Sequence, residues 1–112
     1  MNLDKKLRLM ALKEYGFSKA IKDDTISNDD LKLITESTTN GYIQHEITCI
    51  CNRRTHERIV MSLNNYKKAR HVNGFAAARA RSQYKGELHD FLNSINYVND
   101  VDKKMIEREL AK

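Results

Sequence analysis

A mainly α-helical protein, folded as a single compact bundle of about five to seven helices, is what this sequence predicts. Three observations carry that expectation. No proline occurs in 112 residues, so nothing breaks a helical hydrogen-bond ladder. Apolar residues recur at spacings of three and four over most of the chain, the period of a helix with one buried face. Glycines stand singly at 16, 41, 74 and 86, where they punctuate those periodic runs. The length fits one helical domain over residues 1–112.

The first helix takes Leu3, Leu7, Met10 and Ala11 at helical spacing and stops at Gly16 after Tyr15. Ser18 to Lys22 makes one further turn with Phe17 and Ile21 inward, and Asp23-Asp24-Thr25 reads as a loop. Ser27 caps the next helix, with Asp29 and Asp30 in its first turn, where negative charge complements the helix dipole. Leu31 and Ile34 face inward, Leu33 is less well placed, and Asn40-Gly41 ends the run.

Residues 42–52 fit two patterns. Ile43, Ile47, Ile50 and Cys51 make a helical stripe, whereas Ile43, Ile47, Cys49 and Cys51 share strand parity in a segment holding β-formers. The helix is favoured by its neighbours. The alternative is a short β-hairpin around 42–63, pairing 42–51 with 57–63 across Asn52 to His56.

Thr55 can cap a helix that buries Ile59, Leu63 and Tyr66 and ends at Asn73-Gly74. Ala76, Ala77, Ala78 and Ala80 make Phe75 to Lys85 strongly helical, and Gly86 is expected to break that run. Leu88, Phe91, Leu92 and Ile95 form the clearest amphipathic repeat. Asn99 or Asp100 caps a last helix with Val101, Met105 and Leu110. Its Lys103, Lys104, Glu107, Arg108 and Glu109 read as an exposed, salt-bridged face.

Charge is the strongest functional signal. Residues 53–85 hold nine bases and one acid, Glu57, a local charge of +8 within a chain of net +5. The flanks are slightly acidic, with seven bases against eight acids over 1–52 and four against six over 86–112. A concentrated cationic stripe recruits a polyphosphate backbone, because each neutralised phosphate releases counterions. The candidate nucleic-acid-binding residues are Arg53, Arg54, Arg58, Lys67, Lys68, Arg70, Arg79, Arg81 and Lys85. Asn65 and Gln83 add groups that read base edges. Tyr66, Phe75 and Tyr84 interleave with the bases and would suit stacking on unpaired bases, although Tyr66 and Phe75 are expected in the core.

Leu33 to Ile50 is compatible with a helix-turn-helix in which Gly41 makes the turn and Tyr42, Ile47 and Ile50 are buried, but Glu36 and Asn40 stand where that motif wants apolar residues. His45, Cys49, Cys51 and His56 carry zinc-type donors, yet H-x3-C-x-C-x4-H is not a usual zinc spacing. Buried reduced cysteines with surface histidines are the expectation. Cys49 and Cys51, one residue apart, make a poor disulfide. No Gly-rich phosphate loop or paired catalytic carboxylates stand out, and no cofactor, metal or enzymatic activity is expected. No apolar run approaches the roughly 20 residues that span a bilayer, so a cytoplasmic protein with no membrane partner is expected.

The sequence thus predicts a small, non-enzymatic nucleic-acid-binding protein, most simply a regulator, with DNA favoured over RNA. The alternative is a protein-interaction module, an inhibitor or adaptor, that binds an acidic surface of a larger protein such as a nucleic-acid enzyme. In that alternative the apolar helix Leu88 to Ile95 and the last helix would make a homodimer or heterodimer seam.

Overall fold

The computed structural model describes residues 2–94 and 96–112, so Ile95 of the amphipathic repeat lies outside the described residues. Six helices and no strand occur among them: α1 (Leu3–Tyr15), α2 (Phe17–Lys22), α3 (Asn28–Ser37), α4 (Gly41–Arg70), α5 (Phe75–Asn93) and α6 (Asp100–Leu110). Contacts group the chain into two compact units, Met1–Ile50 and Cys51–Lys112. Helix α4 supplies residues to both.

The predicted caps act as caps. The Ser27 side chain accepts from the Asp30 backbone N–H at 3.1 Å and Asn99 accepts from that of Asp102 at 2.8 Å. Gly16, at φ 103, ends α1 and opens α2, a backbone conformation that suits glycine.

The hairpin alternative is replaced by one thirty-residue helix. Nothing between Tyr42 and Arg70 is a glycine or proline, so Asn52 to Thr55 simply continue the ladder and Thr55 is interior, not a cap. Asn40 is the cap here, its Oδ1 accepting from the backbone N–H of Tyr42 at 2.9 Å and of Ile43 at 3.3 Å. Gly41 is therefore the first helical residue and not a turn glycine. Of the positions a helix-turn-helix would bury, Ile47 is buried, Ile50 is half-buried and Tyr42 is exposed.

Gly86 does not break α5 either. A single glycine costs a helix only about 1 kcal/mol, and the flanking turns are fixed by packing. The inward positions of α5 are Ala77, Ala80, Tyr84, Leu88 and Phe91. Phe75 falls on the opposite side of that helix, 81% exposed, so its expected core position is wrong while that of Tyr66 is right.

In the first unit, Ile21, Leu31, Leu33, Ile34 and Ile47 are buried. Helix α1 packs against α2 and α3, and its Leu9 and Leu12 are half-buried. Leu3, Leu7 and Met10 are exposed at 70%, 54% and 60%. Arg8 pairs with Asp30 of α3. In the second unit, Ile59, Leu63, Tyr66, Leu88 and Ile106 form the core, with Phe91, Leu92, Met105 and Leu110 packed against it. Ile106, not the expected Val101, is the buried apolar residue of α6 among the described residues, and Val101 is exposed.

Candidate nucleic-acid interface

Helix α4 ends and α5 begins inside the basic segment, and the turn between them is organised by one of its own arginines. Arg81 donates through Nη1 to the carbonyl of Ala69 at 3.0 Å and to that of Val72 at 2.7 Å. Terminal carbonyls of a helix have no intrahelical donor, so the guanidinium closes the end of α4 and ties it to the middle of α5. Arg70 is also occupied. Its Nη1 lies 2.8 Å from Oε1 of the buried Glu109 on α6, and its guanidinium stands 5.8 Å from the Tyr66 ring centre. Glu109 is therefore no part of an exposed charged face. Lys112 approaches it to 3.4 Å and Lys67 to 4.0 Å.

Two of the nine candidate residues are thus structural and a third is weakly engaged. Arg53 and Arg54 make contacts within the chain as well. Arg58 is exposed, with its guanidinium 5.3 Å from the centre of the Phe91 ring. Lys68, Arg79 and Lys85 are exposed.

The exposed side of α5 presents Phe75, Arg79, Gln83 and Lys85 among small residues, Ala76, Ala78, Ser82 and Gly86. Because Arg81 holds the last turn of α4 to this helix, Lys67 and Lys68 come to the same end of the unit. No Asp or Glu occurs from Arg58 to Gly86, so no carboxylate of these stretches of α4 and α5 offsets the field. The signal that Phe75 is exposed was available in the sequence: the apolar spacing from Tyr84 through Leu88 to Phe91, carried backwards, leaves it off the buried face.

The acid-free run stops at Glu87, which with Asp90 lines a cleft of about 360 Å³ between α4 and α5. Met61, Tyr84 and Phe91 supply its apolar surface, and Arg58, Ser62 and Asn65 its polar surface from α4. The buried Ser62 hydroxyl donates to Glu87 Oε2 at 3.1 Å, which orients that carboxylate. This cleft was not anticipated.

The four zinc-type donors fall into three separate contacts. His45 Nε2 lies 3.6 Å from Cys49 Sγ, while His56 Nδ1 lies 2.8 Å from the buried Asp102 Oδ2. Cys51 pairs with the Tyr97 hydroxyl. Among the described residues no three His, Cys, Asp or Glu side chains gather around one point. The expectation of two buried thiols is corrected, because Cys49 is exposed and Cys51 half-buried. Burial pushes the Cys51 thiol above its ordinary range, against the opposing effects of the Tyr97 hydrogen bond and the Arg54 charge. Burial, and the nearby Cys51, push Tyr97 up too.

Compared with protein-family models, curated proteins and solved structures, the chain matches none. Among the described residues no helix is long and apolar enough to cross a membrane.

Proposed function

We propose that this is a non-enzymatic, cytoplasmic nucleic-acid-binding protein, a small regulator of DNA, and that its contact surface is the exposed side of α5 with the last turns of α4. The observation that supports this reading is the exposed Phe75 one turn before Arg79. An exposed ring next to cations in an acid-free stretch is the arrangement on which an unpaired base stacks while its phosphate meets a base of the protein. The arrangement favours strands with unpaired bases over intact duplex, since stacking needs an open base face.

Arg58, Lys68, Arg79 and Lys85 are the contact residues in this reading, with Lys67 a partial contributor. Arg70 and Arg81 drop out, because moving either to a phosphate would unpair Glu109 or uncap α4. Titration of fluorescent oligo(dT) over a series of salt concentrations tests the reading. Three to four phosphate contacts give a log–log slope of roughly −2 to −3 for a single strand. No binding at low salt removes nucleic acid as the partner.

The second reading, a protein-interaction module, is favoured by one feature. Leu3, Leu7 and Met10 make an exposed apolar stripe on α1, the spacing by which a helix anchors in a groove. Capture of a protein from nuclease-treated lysate that is lost on Leu7→Asp supports that module, as an inhibitor or adaptor.

A further inference from the structure

The cleft between α4 and α5 is out of character with its surroundings. It places two carboxylates, Glu87 and Asp90, immediately after a run of 29 residues, Arg58 to Gly86, that contains none. Carboxylates at the edge of a phosphate-binding surface repel the backbone, so they need another task. Ionised carboxylates only accept hydrogen bonds. A ligand seated here must therefore offer donors, and it must be flat to use Tyr84 and the Arg58–Phe91 pair.

We infer that this cleft binds one unpaired guanine of the nucleic acid held by the basic surface, with Glu87 reading the base. This rests on the nucleic-acid reading given above. The volume of about 360 Å³ lies in the range of small-ligand sites, about 300–1,000 Å³. Guanine alone among the bases carries two adjacent N–H donors on its Watson–Crick edge, the ring N1–H and the exocyclic amine, and so matches a carboxylate's two oxygens. Adenine, cytosine and thymine each offer a single donor group beside an acceptor there, and a carboxylate meets that acceptor with repulsion. The Ser62 hydroxyl already holds Glu87 Oε2 at 3.1 Å, which fixes the carboxylate while leaving its other lone pairs for a base. Tyr84 and the Arg58 guanidinium, 5.3 Å from the Phe91 ring centre, supply flat faces of the kind on which splayed bases stack. Asn65, also in the lining, carries both a donor and an acceptor and suits the base's remaining edge.

The test compares nine-residue oligo(dT) with the same strand carrying one central dG, dA or dC, by fluorescence anisotropy with the full chain. The dG strand is expected to bind at least about 10-fold tighter than the other three. Glu87→Gln keeps an acceptor for Ser62 but replaces one carboxylate oxygen by a donor, and should bring all four strands to the affinity of oligo(dT) with its salt slope unchanged. Tyr84→Leu should weaken the dG strand by a similar factor. Equal affinities for the four strands in the wild type overturn the guanine site while leaving the nucleic-acid reading standing. So does a dG preference that survives Glu87→Gln in a variant with unchanged circular dichroism. Absence of binding to all four strands at low salt overturns both.

Discussion

Arg79 and Arg81 are separated by one residue on the same helix and have opposite fates. Arg81 turns inward and donates to the carbonyls of Ala69 and Val72, closing the end of α4. Arg79 is exposed. The same division runs through the whole basic segment, with Arg70 on the buried Glu109 and Lys68 and Lys85 on the surface. Composition cannot separate these two kinds of base, because each contributes the same charge. What separates them is angular position on the helix, and that is a matter of register. A cationic stripe is therefore a smaller binding surface than its charge count implies.

Substitutions sharpen the contrast. Arg70→Ala carries the largest expected effect. It leaves the Glu109 carboxylate buried with only Lys112 and Lys67 nearby, at a cost of about 2–4 kcal/mol in chemical denaturation. A loss under about 0.5 kcal/mol would place Arg70 among the free bases. Arg81→Ala should follow, at about 1–3 kcal/mol, since two charge-assisted hydrogen bonds are lost, one to the Ala69 carbonyl at the end of α4 and one to the Val72 carbonyl just beyond it. Hydrogen exchange should show the last turn of α4 opening in that variant, and its absence contradicts the capping role.

Arg79→Ala and Lys85→Ala belong to the other class. Each should change stability by under about 0.5 kcal/mol while flattening the salt slope of binding by about 0.7 on a single strand. Gly86→Ala acts on stability alone, and in the stabilising direction. Nothing lies within 4 Å of an added Cβ there, and alanine should stabilise α5 by about 0.5–1 kcal/mol. Destabilisation in the isolated chain would mean the backbone at that point is not the regular helix seen here.

A pH effect sits apart from the basic segment. The folded-state thiol of Cys51 and hydroxyl of Tyr97 are both shifted upward, mainly by burial. Their contribution is intact at neutral pH and is lost as pH rises above about 8.5, where the unfolded thiol ionises first. Melting curves should fall with pH over that window, and less steeply in Cys51→Ala. An unchanged alkaline profile in that variant counts against a desolvated thiol.

Helix content, the caps at Ser27 and Asn99, the stop at Gly16 and the core positions Ile59, Leu63, Tyr66 and Leu88 were legible in the sequence, because each rests on local chemistry or short-range periodicity. Other features were not. The break expected near Thr55 and at Gly86 failed since a helix supported by packing tolerates one unfavourable residue. Glu109 reads as exposed charge and nothing singles out Asp102, yet both are buried because Arg70 and His56 meet them across distances in sequence of 39 and 46 residues. Pairing at that range leaves no trace in a periodic pattern. The α4–α5 cleft was invisible for the same reason, its two walls being far apart in the chain.

The central claim is that a free subset of the basic segment, and not its total charge, binds nucleic acid. One measurement addresses it most directly: oligo(dT) affinity of the triple variant Lys68→Ala, Arg79→Ala, Lys85→Ala as a function of salt, beside the wild type. The account predicts an unaltered melting curve, and a salt slope that drops from roughly −2 to −3 to between about 0 and −1. A triple variant that binds with the wild-type slope and affinity would contradict it.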